Sequence, residues 1–231
     1  MFKKFHHNLV ELPKMERCTD EVTGKRYYLT PAGNRYTSVT TFTGLDEDKE
    51  KSLLAWRESI GEDKANAISK RASTRGTNLH NTLERYTLNE QITWAEISKD
   101  LLNKQLFLQI KKMLDDVDNI RVVEGMMYSD KLCLAGTADL VADYKKKLSV
   151  CDYKGSNRIK KEEHIDGYFI QGACYAIMYH ELYDEMPEQV VIFMGVEDGA
   201  PNGLVFVKPI GECMKLLVDF MKKVNHYGSF R

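Results

Sequence analysis

The chain has 231 residues, with 33 Lys plus Arg against 34 Asp plus Glu and a formal charge of −1. Apolar residues at 43% and charged residues at 29% are ordinary globular usage and exclude wholesale disorder. The balanced charge excludes a polybasic protein that holds nucleic acid by bulk charge, though not a local basic groove, and no apolar run approaches the roughly 18 residues that span a bilayer.

At about 150 residues per domain, the length suits one domain over 1–231, with an N-terminal hairpin and helical elaboration over 1–120 and a sheet core over 121–231. The opening MFKKFHHNLVELPK has two lysines but no apolar h-region, and it is not an Arg- and Ser-rich transit peptide, so a cytoplasmic address is expected. Cys18, Cys133, Cys151, Cys174 and Cys213 are widely spaced without a CxxC pair, which reads as free, mostly buried thiols rather than a zinc ribbon or a disulfide frame.

VTGKRYYLTPAGNRYTSVTTFTG (22–44) alternates Tyr, Thr and Val around Thr-Gly and Ala-Gly-Asn turn signals, a hairpin pattern. Leu53, Leu54, Trp56 and Ile60 form one apolar helix face after the acidic start Asp46-Glu47-Asp48. Ala65, Ile68 and Ala72 predict a second helix that Gly76 breaks, with Leu79, Leu83 and Tyr86 resuming the spacing. TWAE (93–96) is a capping box expected to open a long helix through Leu101, Leu106, Ile110 and Leu114. RVVEGMMYS, LAGTADLVADY and LSVCDYKG then read as three consecutive strands, with KKKLS (145–149) as the last turn. A helix over 164–183, strands QVVIFMGV and GLVFVKP separated by EDGAPN, and a closing helix over 212–224 complete an α/β (α+β) architecture with a central mixed sheet flanked by helices.

Alternation along a strand turns Asp152 and Lys154 to one face, and hairpin pairing could bring Asp139 beside them. Such a cluster is costly unless something uses it. Hard divalent cations prefer carboxylate oxygen, and a bound cation activates water and neutralises phosphoryl charge. A neighbouring lysine can orient or deprotonate that water, or stabilise charge on phosphorus. The role suggested is metal-assisted phosphodiester hydrolysis; a solvated hairpin face is the plain alternative. Three more features bear on the choice: His80 after Gly76, Glu124 one strand before Asp139, and Gln171 with Tyr175 one turn apart on a helix.

In this order His80, Glu124, GTAD ending at Asp139, DYK at 152–154 and QGACY at 171–175 resemble the signature of the PD-(D/E)xK nucleases. The likeness is to their RecB-like exonuclease branch, and within it to the mitochondrial genome maintenance exonucleases and their phage relatives. It extends to RYTSVTTFTGL, RGTNLH and VVIFMGVEDGAP. The resemblance implies a restriction-endonuclease-like core and a DNA exonuclease dependent on Mg²⁺ or Mn²⁺, acting on single-stranded ends. It makes His80, Asp139, Asp152 and the Tyr153 carbonyl metal ligands and Lys154 the catalytic lysine. Glu124 would support the metal shell, while Gln171 and Tyr175 would hold the site or contact the DNA backbone. Ala138 stands where the superfamily has proline before its first aspartate, a change common in this branch. Relatives with an iron–sulfur cluster carry one early and three late cysteines; only Cys18 and Cys213 are roughly placed, so no cluster is expected. Without an evident mitochondrial leader, a phage or bacterial member is favoured. A duplex-end resecting exonuclease and a non-catalytic nucleic-acid-binding module are the rivals.

Other residues carry competing readings. Glu84, one turn after His80, could join the metal shell or pair with Arg85 or Arg75. RIKK (Arg158 to Lys161, with Lys160) after Ser156 and the run Lys64, Lys70, Arg71, Arg75 flank the proposed site, and Arg75, Ser156, Arg158, Lys160 and Lys161 are the candidate DNA contacts. Tyr27, Tyr28 and Tyr36 suit either base stacking or a packed hairpin. Trp56 and Trp94 are expected in the core, and His164, His180 and His226 on the surface.

Overall fold

Two lysines in the left-handed region, Lys145 (φ 52°) and Lys146 (φ 67°), make a tight turn whose twist matches the strands it joins. The computed structural model describes residues 2–198 and 202–228, and this turn joins β5 (Leu134–Tyr144) to β6 (Lys147–Ser156) at the centre of an eight-stranded mixed sheet. β4 (Val117–Ser129) pairs antiparallel along one edge of β5. The other edge of β5 is shared. Near its start it pairs in parallel with β3 (Arg35–Ser38) through Leu134 and Ala135, and from Leu140 onward it pairs with β6. Residues 136–139 lie in the fork between these partners. β1 (Glu16–Thr19) and β2 (Arg26–Leu29) extend the sheet beyond β3, so the expected N-terminal hairpin is part of the same sheet.

Helix α6 (Asp166–Tyr183) is the crossover that lets β7 (Gln189–Val196) lie parallel to β6, and β8 (Leu204–Pro209) closes the edge antiparallel. Every residue of β7 is buried, as a strand covered on both faces requires. One face packs α1 (Val39–Thr43), α6 and α7 (Ile210–Lys223), with Phe42, Phe169, Ala173, Val190 and Leu217 in its core. The other packs α3 (Glu62–Thr87) and α5 (Leu101–Met113), with Leu79, Leu83, Phe107, Tyr153 and Phe193. The core is therefore restriction-endonuclease-like in its layers: a mixed sheet flanked by seven α-helices among the described residues. None of these helices is long and apolar enough to cross a membrane.

Several expectations are corrected. Gly76 does not break α3, which runs unbroken through it. The capping box at Thr93 and Glu96 forms, but it opens only α4 (Trp94–Ile97); Asp100 caps α5 separately by accepting from Asn103 N–H. α2 (Glu47–Ile60) buries none of its residues, and Leu53 and Leu54 are half exposed. Trp94 is likewise exposed, stacked on Phe2, and Trp56 is only half-buried. His226 is half-buried and bonds the Leu132 carbonyl at 2.8 Å, while His180 is half-buried with an unpartnered Nδ1; of the three histidines only His164 is fully at the surface. Tyr28 is buried, its hydroxyl 3.3 Å from Thr137 Oγ1, which favours the packed hairpin. EDGAPN lies partly outside the described residues.

Candidate metal centre and active site

The fork in β5 opens the site. Val141 pairs with Val150 and both face the α6 core, so two residues back along β5 and two on along β6 place Asp139 and Asp152 on that same face. Lys154 follows on the same side. Because β6 has left β5 by this point, the Tyr153 N–H has no strand partner there; it donates instead to Asp139 Oδ2 at 2.8 Å. Glu124 sits on β4 opposite Asp139, between the pairs Val123–Leu140 and Gly125–Ala138. Its backbone is left-handed (φ 44°), a conformation a glutamate adopts only when its surroundings hold it there. A Cβ on Gly125 would strike Val122 at 2.3 Å, so the kink also needs that glycine.

His80 reaches this point from α3. Its Nδ1 lies 3.3 Å from Glu124 Oε1 and 3.5 Å from Asp139 Oδ1, and its Nε2 lies 3.0 Å from the Tyr153 carbonyl. Both ring nitrogens thus face acceptors only, which demands a doubly protonated ring. Burial pushes the imidazole down, but the Glu124 hydrogen bond and the Asp139 and Asp152 charges outweigh it and lift it to about 9. Burial raises Asp152 to about 6 against the pull of Lys154, and burial also raises Asp139 against His80 and Lys154. Burial alone would lower Lys154, yet Asp152 and Asp139 hold it above its ordinary value as an ammonium. That ammonium donates to Asp152 Oδ1 at 2.6 Å and lies 2.5 Å from Oδ2, so it faces both oxygens of the buried carboxylate.

His80, Glu124 and Asp139 bring one ligand atom each within 4.8 Å of one another. Two hard carboxylates with an imidazole and a nearby carbonyl suit a divalent cation, and the buried Asp152 carboxylate is a further candidate ligand. The fit has one condition: such a cation would have to replace the proton on His80. Glu84 pairs with neither Arg85 nor Arg75; burial, then Glu124's charge, raises its carboxyl.

On α6, Tyr175 is buried and its hydroxyl reaches into the fork. A Cβ on Gly136 would stand 2.8 Å from that oxygen, so the glycine of GTAD is the clearance for it. Burial holds the Tyr175 phenol neutral, with a hydrogen bond from Gln171 opposing. Sequence reasoning missed Tyr168, whose ring lies 5.1 Å from Lys154 Nζ and 5.2 Å from Lys160 Nζ, with its hydroxyl accepting from Lys160 at 3.1 Å. Its spacing of three before Gln171 and seven before Tyr175 was the available signal.

The candidate DNA contacts divide. Arg158 and Lys161 are exposed, Lys161 within 3.7 Å of Glu163, and Lys160 is half-buried against Tyr168. Ser156 is buried and its hydroxyl donates to the Arg158 carbonyl, so it shapes the loop rather than facing a strand. Arg75 is not free either. It is bonded to Glu197 and Asn157 and lies 3.3 Å from the Gly155 carbonyl, and Arg71 adds a second contact to Glu197 at 3.0 Å. This ties α3 to the end of β6 five residues before His80. The thiols of Cys151, Cys174 and Cys213 are buried, and those of Cys18 and Cys133 are partly so.

The human mitochondrial genome maintenance exonuclease 1 is 28% identical over 158 residues, which is 68% of this chain and 40% of that protein's length. Among solved structures, the crystal structure of SSO0001 aligns over 74% of this chain and 70% of its own at 15% identity, with a TM-score of 0.33, too slight a likeness to carry an argument. The profile of the PD-(D/E)XK nuclease superfamily matches residues 50–212, which contain His80, Glu124, Asp139, Asp152 and Lys154. The chain belongs to the PD-(D/E)XK nuclease superfamily.

Proposed function

We propose that the chain is a divalent-metal-dependent DNA exonuclease acting on single-stranded ends, working as one domain over 1–231. The observation that carries this reading is the convergence of His80, Glu124 and Asp139 within ligand distance, beside the Lys154–Asp152 pair. Superfamily membership and the human exonuclease relative support it. In this reading His80, Asp139, Asp152 and the Tyr153 carbonyl hold Mg²⁺ or Mn²⁺, with Glu124 supporting that set. The ion would supply an activated water and neutralise phosphoryl charge. Lys154, held by Asp152, orients that water or stabilises charge developing on the phosphoryl oxygens. Tyr175 and Gln171 keep the fork open, and Arg158, Lys160 and Lys161 meet phosphates. A phage or bacterial cytoplasmic setting suits the reading.

The test is a time course on an oligonucleotide labelled at each end in turn, linear or circular, with manganese or with chelator. The linear strand should shorten from one end only with the ion, and the circle should persist. Efficient cutting of circles would turn the reading to an endonuclease. Faster digestion of duplex ends would favour a resecting enzyme, and binding without release of nucleotides a non-catalytic module.

A further inference from the structure

Among the described residues, the one ion pair of Lys154 is with the Asp152 carboxylate, and that carboxylate is also a candidate ligand for the divalent cation. A bound cation would be the largest charge there and would draw the carboxylate to itself. An ammonium that must stay aimed at a phosphoryl group then needs a second holder, one for which the ion does not compete. Tyr168, in the first turn of α6, is placed to be that holder. Its ring centroid lies 5.1 Å from Lys154 Nζ and 5.2 Å from Lys160 Nζ, and its hydroxyl accepts from Lys160 at 3.1 Å. A ring face attracts an ammonium through its quadrupole, yet it neither ligates a hard metal nor takes the proton. The ring does not depend on the lysines for its own place. Its backbone N–H donates to the Ile165 carbonyl at 2.8 Å, and it packs against the core beneath α6. Lys160 is half-buried and makes no ion pair among the described residues, so this side chain orients its ammonium without neutralising it. Two ammoniums gathered at one ring repel each other, and a bound anion relieves that repulsion.

We propose that Tyr168 is a positioning residue of the nuclease site: its ring holds the Lys154 ammonium on the phosphodiester being cut, and its hydroxyl holds the Lys160 ammonium for the adjoining phosphate. The proposal rests on the nuclease reading for what the two cations act on, but the hold on Lys154 can be read in the metal-free chain.

In that metal-free full chain, the Lys154 protons next to the ammonium, identified by their disappearance in Lys154→Arg, should resonate upfield of the ordinary lysine position because they lie beside the ring. Tyr168→Leu should return them to that position, and Tyr168→Phe should not. In manganese, Tyr168→Leu should lower kcat roughly 5- to 30-fold on both an oligonucleotide and bis(p-nitrophenyl) phosphate, the range for a desolvated cation–ring contact. Tyr168→Phe keeps the ring and should recover most of that kcat. Its KM should rise roughly 2- to 10-fold for the oligonucleotide alone, because the small ester has no adjoining phosphate for Lys160. A side chain that only packs α6 would leave the Lys154 resonance unshifted and move KM alike for the two substrates. An unshifted resonance in the wild type, a KM change in Tyr168→Phe that is equal for both substrates, or kcat in Tyr168→Leu within about twofold of wild type overturns the proposal. The first two decide it even if Tyr168→Leu does not fold. A ring-shifted Lys154 resonance in a chain that cleaves neither substrate would sustain the hold on Lys154 and sink the nuclease reading. Cleavage with an unshifted resonance would do the reverse.

Discussion

Helices α6 and α2 both carry apolar residues in their sequences, yet one is built into the core and the other is not. α6 has nine buried residues and packs against β4, β6, β7 and α7 while presenting Tyr168, Gln171 and Tyr175 to the site. α2 has none buried, and Leu53 and Leu54 stand half exposed. Apolar spacing states that a face is available for covering; it does not state what covers it. On α6 the cover is the sheet. On α2, Trp56 faces the groove beside the site instead.

The sharpest contrast should come from chemistry on the α6 side. Lys154→Ala should cut turnover on the order of 10²–10⁴-fold while oligonucleotide binding persists; near-native rates in that variant would refute the assignment of the site. Stability should separate the two helices next. Phe169→Ala in α6 should cost about 3–5 kcal/mol by denaturant unfolding, because the ring is wholly buried. Glu197→Gln, which leaves the Arg75 guanidinium short of its carboxylate, should cost about 1–3 kcal/mol in the same assay.

The metal centre adds a pH dependence whose sign follows from His80. The imidazole holds its proton up to about 9, so an ion must displace it, and affinity should rise about tenfold per pH unit between 6 and 9. Below about 6, where Asp152 is also protonated, the slope should steepen. Titration calorimetry in buffers of different ionisation enthalpy counts the released protons; a flat profile would mean that His80 is not a ligand. The same raised value stabilises the metal-free fold below pH 6.5, a contribution lost as pH climbs through 9. The smallest effect belongs to α2: Leu53→Ala or Leu54→Ala should move stability by no more than about 0.5 kcal/mol. A loss comparable to Phe169→Ala would show that α2 has a partner in the folded chain after all.

Legibility in the sequence tracked the range of the interactions. β5 and β7 span the residues that alternation and turn signals assign to them, and the Thr93–Glu96 capping box forms where it was read. These features depend on neighbours a few residues away. The helix expected from that box stops after one turn because Asp100, seven residues after Thr93, caps the next one. The sequence suggests a break at Gly76 because the penalty of a helical glycine is visible in sequence, while the contacts of the 26-residue helix around it are not. Arg75 looked like a free cation because Glu197 and Asn157 lie 122 and 82 residues further on.

By itself, the amino-acid sequence determined which side chains are the candidates for the chemistry and which face of each strand they share, since residue identity and two-residue alternation are local properties. Tertiary structure alone decided that β5 forks between β3 and β6, that Glu124 is held in a left-handed conformation beside His80, and that Ser156 and Arg75 are engaged inside the protein. Each of those outcomes depends on which distant backbone arrives alongside, and that is set by the packing of the whole sheet rather than by any one segment.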